Sequence, residues 1–230
     1  MRPAFSSIGA NLWAWHFLVR LRREIDRVLP GRGRDLARRT RTAARAVWES
    51  ERPAMVDAQA GTIVATCALV LAADRLLSAE LANPRDARAI VRTAFLATFR
   101  TPARVATWIA IRLVPRPAAL VARFPFVWFM QTTYGAGMAT HWEPGAVGGD
   151  LIVSRCAFHA FFVAHGAPEL TSLVCEWDRT WMDVLDAAPA AIRTERPTTI
   201  ASGGTECRFH FVSDGVPKPA PTRDVAAPRP

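Results

Sequence analysis

The feature of this sequence that most limits its fold is an apolar run without charge at residues 58–73. A helix of this length is too short to cross the hydrocarbon core of a bilayer. A helix that is apolar on every side is normally buried among other elements of a protein. We therefore predict that residues 54–82 form a long helix that is buried on most sides.

Helical patterns also occur before and after this long helix. Residues 9–29 carry an apolar stripe that includes Leu21 and Ile25, with arginines on the opposite side. Thr101 followed by Pro102 is typical of a helix start, because proline suits the first helical position. Residues 1–134 are therefore predicted to be a helical region, with further helices at 34–50, 86–100, 102–113 and, in part, 118–133.

The pattern changes after Tyr134. Glycines and a proline predict a loop at residues 135–150, and residues 151–156 resemble a buried strand. Residues 192–200 and 205–212 are predicted to be strands of a hairpin, in which Pro197 suits an edge strand. Two helices are predicted between the first strand and this hairpin, at residues 156–164 and 168–185.

These elements predict an α+β fold, in which an N-terminal helical half is followed by helices packed on a small antiparallel sheet. Residues 135–216 form the predicted module that carries the functional site. Residues 217–230 are rich in proline and are predicted to be a disordered tail.

Charge is divided unevenly along the chain. Residues 1–124 contain 21 arginines and nine acidic residues, whereas residues 125–230 are net negative. A basic helical half suits anionic lipid, an acidic partner or an anionic substrate, and a solvated arginine-rich surface gives the same pattern. No basic motif is interleaved with aromatic residues, so nucleic acid is not a predicted partner. The predicted partner is a small-molecule substrate, with peripheral membrane contact through residues 1–30 as an open alternative.

The four cysteines of the chain are Cys67, Cys156, Cys175 and Cys207, and no two of them form a CxxC pair. The usual zinc spacings are therefore absent, and no cofactor is identified. The apolar run at residues 11–19 is short and lacks a cleavage site, so we predict a cytoplasmic protein with free thiols. Cys67 lies within the apolar helix and is interpreted as core.

Asp178 is the one acidic residue within an apolar helical face. On a helix that begins near residue 168, Asp178 lies between Cys175 and Trp181 at spacings of three residues. A buried carboxylate needs a partner, and desolvation raises its pKa toward the range of a general acid or base. The alternative is a structural aspartate that binds a backbone amide.

Three cysteines and a histidine form the second candidate group. Cys156 and His159 are neighbours on one helix face, and an imidazole can lower the pKa of a nearby thiol. The helix at residues 156–164 is otherwise apolar and is predicted to be buried on all sides. Cys207 points inward by strand alternation, so Cys156, Cys175 and Cys207 can converge. Such a cluster suits a thiol nucleophile or a Cys/His metal site, and ordinary core cysteines are the alternative.

Two further polar residues lie beside these helices. His165 is at the end of one helix and Glu169 in the first turn of the next. Both are candidate substrate contacts, although each position also favours its charge through the helix dipole.

Taken together, the C-terminal motifs resemble the L-2-amino-thiazoline-4-carboxylic acid hydrolase family. The family pattern has a cysteine before a helix, then G-x-P-E-L-T, then C-x-x-D, and then the hairpin T-I-x-x-G-G-x-x-C-x-F-x-F. This chain matches it at Cys156, at residues 166–171, at Cys175 with Asp178, and at residues 199–211. The resemblance is good over residues 147–212 and general elsewhere. The final part is also similar to the 4-vinyl reductase ligand-binding domain, which implies helices packed on an antiparallel sheet.

The resemblance implies a hydrolase that opens a cyclic amidine at a C–N bond, converting aminothiazoline carboxylate to N-carbamoyl-cysteine. It implies Asp178 or His159 as base, Cys175 or Cys156 as nucleophile, and an arginine, not identified, that binds the substrate carboxylate. Glu169, His165 and Cys207 are then substrate contacts. The alternative function is a sensor module without catalysis, which binds a metal or a small ligand through the Cys/His cluster.

Overall fold

In the part of the chain that the structure describes, four long helices precede a small sheet with two associated helices. The structure is a computed structural model that describes residues 8–113, 132–145, 148–187 and 192–213. In chain order the elements are α1 (Ile8–Val28), α2 (Gly33–Glu51), α3 (Ala58–Glu80), α4 (Pro84–Leu113), β1 (Ala139–Gly145), β2 (Gly148–Arg155), α5 (Ala157–Ala164), α6 (Thr171–Asp186), β3 (Ile192–Thr198) and β4 (Cys207–Ser213). The predicted α+β class is confirmed.

Helix α3 is the central element of the helical half, as its apolar sequence predicts. It packs against α1, α2 and α4, and the Cys67 side chain is fully buried in it. By length and composition alone the complete helix could span a membrane, but 67% of its most apolar window is buried inside the protein. This burial is what a core helix of a soluble protein has.

The predicted break at Thr101 and Pro102 is wrong. Helix α4 continues through Pro102 to Leu113 as one helix. A proline within a helix removes one backbone hydrogen bond, which disfavours but does not forbid continuation. Because α4 packs against α1 and α6, tertiary contacts outweigh this local cost.

The predicted loop at residues 135–150 is also wrong in most of its length, because β1 and the start of β2 lie there. The glycines serve close contact between strands rather than a loop. A Cβ atom on Gly149 would lie 2.3 Å from the Trp142 ring, and one on Gly148 would lie 1.8 Å from the Phe211 carbonyl oxygen. Only glycine permits these approaches, so the usual loop signal is misleading here.

The sheet is antiparallel in the order β1-β2-β4-β3. The predicted hairpin of the last two strands is confirmed, and Pro197 lies on the edge strand β3 as expected. Val153 of β2 pairs with Thr140 of β1 on one side and with Cys207 of β4 on the other. These three side chains therefore share one face of the sheet.

Several predictions concern residues that the structure does not describe, namely the helix at 118–133 up to residue 131 and the tail at 217–230. The boundary between residues 134 and 135 stays a prediction.

Phe158, Phe161 and Phe162 of α5 belong to the same hydrophobic cluster as the core of α1, α3 and α4.

Candidate active site

The candidate site lies where the helical core meets the core between α6 and the sheet. The second core contains, among others, Trp181 of α6 and Cys207 and Phe209 of β4. Cys156, directly before α5, and Met138, directly before β1, pack against both cores. The junction therefore gathers residues from four parts of the chain that are distant in sequence.

Asp178 occupies the inward face of α6, and its carboxylate has two partners. Arg196 Nη1 donates a hydrogen bond to Oδ2 at 2.8 Å, and Trp181 Nε1 donates to Oδ1 at 3.3 Å. The Asp178 side chain is 21% exposed. Burial raises the pKa of Asp178 to about 6, against the lowering effects of Arg196 and Trp181. A carboxyl with this pKa can both accept and release a proton near neutral pH.

Arg196 is the partner that the sequence did not identify. It lies on β3, its side chain is 13% exposed, and its Nη1 also donates to the Cys175 carbonyl oxygen at 2.8 Å. The guanidinium lies 5.6 Å from the centre of the Phe209 ring. Strand alternation places Arg196 on the same face as Thr194, but that this face is buried is known only from the structure.

Cys156, Cys175 and Cys207 all lie near enough to Asp178 for its negative charge to raise the pKa of each thiol. The pKa of Cys175 is raised to about 12, mainly by burial and then by the charge of Asp178, while Arg196 opposes the rise. The pKa of Cys156 is raised to about 11, mainly by burial, although hydrogen bonds from the His159 and Phe158 backbone lower it in part. Burial also raises the pKa of Cys207, whose sulfur accepts a hydrogen bond from the Ile200 amide at 3.3 Å. All three thiols are free, and their raised pKa values keep them protonated and therefore neutral at physiological pH.

Tyr134 is a second residue that the sequence analysis missed. Burial raises the pKa of its phenol, and the charges of Asp178 and Cys156 raise it further, so the phenol keeps its proton. The Tyr134 ring centre lies 5.8 Å from that of Phe158 at the start of α5. Tyr134 is the only tyrosine of the chain, but no local periodicity marks it as a site residue.

A clamp around Asp57 fixes the turn that follows Tyr134. Asp57 Oδ1 accepts a hydrogen bond from the Ala60 amide at 2.6 Å and so caps α3. The other oxygen accepts from the Ala136 amide at 2.8 Å, and Arg155 donates to the Ala136 carbonyl oxygen at 2.7 Å. The turn is thus held from both sides, which sets the position of Tyr134.

Thr140 also faces the inner side of the sheet, in the same row as Cys207. Its Oγ1 is buried and has no hydrogen-bond partner among the described residues. A buried hydroxyl without a partner is uncommon in proteins, and a bound ligand is one way to satisfy it.

The remaining predicted site residues have other partners. His159 Nδ1 lies 3.2 Å from Thr171 Oγ1, and His165 Nε2 lies 3.2 Å from the Glu51 carboxylate. Glu169 accepts a hydrogen bond from Arg88 at 2.9 Å. The two members of a pair are up to 114 residues apart in the sequence, so these pairs hold distant parts of the chain together. None of the pairs includes Asp178 or Arg196.

Helix α5 is not buried on all sides, contrary to the sequence prediction. Phe158, Phe161 and Phe162 are buried, whereas Val163 and Ala164 are exposed. The apolar composition of so short a helix hid its two-sided character, because alanine and valine are tolerated at the surface.

A comparison with protein-family models adds evidence independent of this geometry. The model described as L-2-amino-thiazoline-4-carboxylic acid hydrolase matches residues 68–211. The chain belongs to this family. No curated protein and no solved structure matches the chain. The resemblance to the 4-vinyl reductase domain, which no comparison supports, stays a prediction.

The family match contains all the elements of the candidate site. It begins in α3 and ends in β4, so it includes Tyr134, Cys156, Asp178, Arg196 and Cys207. The match also extends well before residue 147, where the recognisable motifs begin. Helix α4 and the second half of α3 are therefore part of this hydrolase family's pattern.

The arrangement of ligand atoms is relevant to the metal alternative. Among the described residues, no group of three or more His, Cys, Asp or Glu side chains is placed to hold a metal ion. In this member of the hydrolase family, the described site is instead an acid, an arginine, a phenol and three thiols.

Proposed function

We propose that this protein is a hydrolase that opens a small cyclic substrate of the 2-amino-thiazoline-carboxylate type, with Asp178 as general base. The observation that carries the proposal is the partly buried Asp178 carboxylate, bonded to Arg196 and near three thiols inside the region of the family match. Free thiols throughout the chain suit the reducing conditions of the cytoplasm, where we place the protein.

Atom balance specifies which bond of the namesake substrate must break. N-carbamoyl-cysteine keeps both nitrogens on the carbon that water attacks, so ring opening to this product breaks the carbon–sulfur bond. A C–N bond would break only in a cyclic amidine whose leaving atom is nitrogen. Water supplies the oxygen of the carbamoyl group, and its two protons end on the ring nitrogen and on the released sulfur.

Asp178 is suited to move these protons. With a pKa of about 6 it is mostly ionised at neutral pH, and it can take a proton from the attacking water. The protonated carboxyl can then return this proton to the leaving atom as the tetrahedral intermediate collapses. General acid–base catalysis of this kind contributes about 100-fold to 10,000-fold to a rate.

The thiols are less suited to be the nucleophile. A thiol with a pKa of about 11, as in Cys156, is ionised at neutral pH in only about one molecule in 10,000. The pKa of Cys175 is higher still, at about 12. We therefore assign attack to water and give the three thiols the role of a weakly polar wall around the substrate.

Arg196 and Tyr134 complete the proposed site. The Arg196 bonds to Asp178 and Cys175 both use Nη1, so other donors of the guanidinium can bind the carboxylate of the substrate. Tyr134 keeps its proton and can donate a hydrogen bond to the charge that develops in the intermediate. His165 and Glu169 are held by Glu51 and Arg88, so this proposal does not use them.

A panel of 2-amino-thiazoline carboxylate and related cyclic amidines tests the proposal, with mass spectrometry to detect the gain of one water. Asp178→Asn should reduce turnover at least about 100-fold. Asp183→Asn is the matched control, because Asp183 is exposed on the same helix and should not affect turnover. Binding of a panel member without turnover by the wild-type protein would instead support the alternative, a small-ligand-binding module.

A further inference from the structure

The C-terminal part of α4 exposes large apolar side chains. Val105 and Trp108 are each 50% exposed, and Ile109 is 43% exposed. Residues three and four positions apart lie on one side of a helix, so the three side chains form a single stripe. Thr107 and Ile111, which each lie about 160° around the helix from Ile109, are half-buried, and Ile111 packs against the core next to the sheet. The stripe therefore faces away from the body of the protein.

Positive charge accompanies this apolar stripe. Arg104 and Arg112 are exposed beside it, and the Arg112 guanidinium lies 4.3 Å from the centre of the Trp108 ring. From residue 87 to its end at residue 113, α4 contains five arginines and no acidic residue, and two of these arginines, Arg88 and Arg92, pair with Glu169 and Glu176. The surface thus combines an exposed tryptophan and aliphatic side chains with arginines, and α4 has no carboxylate near them.

We propose that the α4 stripe, formed by Val105, Trp108, Ile109, Arg104 and Arg112, docks the protein on an anionic lipid surface. Tryptophan prefers the bilayer interface, where its ring is among apolar groups and its N–H stays near water. Arginines attract anionic headgroups, so the apolar and cationic groups act on the same partner. A second copy of the chain fits less well, because it would bring arginines against arginines.

The stripe is at a different place from residues 1–30, where the sequence analysis put a possible membrane contact. Leu12 and Trp15 of α1 are also about half exposed, at 53% and 52%. Helix α1 faces α4 through Trp13, whose ring centre lies 5.1 Å from that of Phe99. At 100° per residue, Trp15 lies about 160° around α1 from Trp13.

The same rotation applies to α4, on which Trp108 lies about 180° around the helix from Phe99. Trp15 and Trp108 therefore point in roughly opposite directions, and one flat bilayer cannot contact both. Trp108 has two apolar neighbours and two arginines on its side of the helix, so we assign the contact to α4. Trp15 becomes a matched control with nearly the same exposure.

Vesicle flotation of the full chain tests this proposal. We expect the protein to float with vesicles of phosphatidylcholine and phosphatidylglycerol, and not with phosphatidylcholine alone. Trp108→Ser should lower the partition coefficient between vesicles and water by roughly tenfold, as expected when one large apolar side chain no longer inserts into the bilayer interface. The double variant R104Q/R112Q should also lower binding, and added salt should weaken binding of the wild type. Trp15→Ser should float like the wild type.

Three results would overturn the proposal: no flotation with anionic vesicles, equal flotation with neutral vesicles, or loss of flotation in Trp15→Ser but not in Trp108→Ser. Light scattering after gel filtration adds a further test. A wild-type dimer that Trp108→Ser converts to a monomer would show that a second copy covers the stripe, and would contradict lipid docking. Because Trp108 is exposed, unchanged thermal unfolding of the variant will establish that its fold is intact.

Discussion

The ion pair between Arg196 and Asp178, with 2.8 Å between Nη1 and Oδ2, connects strand β3 to helix α6 across the candidate site. The same nitrogen bonds the Cys175 carbonyl oxygen, so the guanidinium is fixed to the helix backbone as well. Two effects oppose each other at Asp178, because burial raises its pKa while the arginine lowers it. The net pKa of about 6 places this carboxyl in the range where it can work as a base near neutral pH.

Replacing Arg196 should therefore change the pH dependence of catalysis. Arg196→Gln removes the positive charge that favours the ionised carboxylate, so the pKa of Asp178 should rise by about 1–2 units. The base must be deprotonated to act, and activity should thus be lost at a higher pH as the solution is acidified. The profile of kcat/KM against pH measures this shift.

Arg179→Gln is the control for this experiment. Arg179 is exposed on α6, the helix that carries Asp178, and its Nη2 lies 3.9 Å from Asp183 Oδ1. It should leave the acid limb of the profile in place. An unchanged acid limb in Arg196→Gln would contradict the proposed role of Asp178 as the titrating base.

The thiols should react slowly with alkylating agents at neutral pH. Because burial raises the pKa values of Cys156 and Cys175 to about 11 and 12, little thiolate is present below pH 9. The rate of iodoacetamide modification, followed by mass spectrometry at each cysteine, should keep rising beyond pH 10. Fast modification of either residue at pH 7 would reveal a reactive thiolate.

Substitution of Cys175 distinguishes water from thiolate as the nucleophile. With water as nucleophile, Cys175→Ala should keep turnover within about tenfold of the wild type, since it changes only the wall of the site. A loss as large as that of Asp178→Asn would instead make Cys175 the nucleophile and the carboxylate its base.

Sequence periodicity was sufficient to predict the helices α1 to α3, the final hairpin and the inward position of Cys207. These features depend on residues close together in the chain, where apolar spacing follows helix or strand geometry. The same local argument placed Asp178 on an apolar helix face. It could not identify Arg196 or Tyr134, because their relation to Asp178 depends on how β3 and the turn before β1 pack against α6.

Local signals were misleading where tertiary contacts decided the outcome. Pro102 indicated a helix start, yet packing on two sides carries α4 through it. Gly148 and Gly149 indicated a loop, yet they allow β2 to approach Phe211 and Trp142 closely. In both cases the residue is compatible with two structures, and distant residues select one of them.

The outer face of the sheet should contribute stability that depends on pH. Arg208 donates to Glu143 at 2.9 Å, to Asp150 at 2.5 Å and to Glu206 at 2.8 Å. Burial alone would raise the pKa of Asp150, but hydrogen bonds from His210 and Arg208 bring it below its usual value. Arg208 also lowers the pKa of Glu143, mainly through its hydrogen bond.

Carboxyls with a lowered folded-state pKa stabilise the fold above about pH 4, and this contribution is lost as the pH falls through their folded-state values. Arg208→Gln should therefore lower the melting temperature at pH 7, and its difference from the wild type should shrink as the pH falls below 4. Arg193→Gln is the control on edge strand β3, with a smaller expected effect because Arg193 is more exposed. A difference that grows on acidification would contradict the role assigned to Arg208.

A pair of glycine substitutions separates backbone strain from the clamp that positions Tyr134. Gly135 and Gly166 both have positive φ, at 56° and 67°, so alanine costs each about 1 kcal/mol. Only at Gly135 would the new Cβ meet a neighbour, 2.3 Å from Asp57 Oδ2, whereas nothing lies within 4 Å at Gly166. Gly135→Ala must therefore also displace the Asp57 carboxylate from Ala136, and lose about 1 kcal/mol more.

Urea unfolding should accordingly give a larger loss of stability for Gly135→Ala than for Gly166→Ala. Turnover of the cyclic substrate should fall only in Gly135→Ala. Loss of the Asp57 clamp lets the turn shift, and this shift moves the adjacent Tyr134 away from the Asp178 carboxylate. Tyr134→Phe should reproduce that fall in turnover with little change in stability, since it removes the hydroxyl and keeps the ring against Phe158. Equal turnover in both glycine variants would mean that the Asp57 clamp does not position Tyr134 for the reaction.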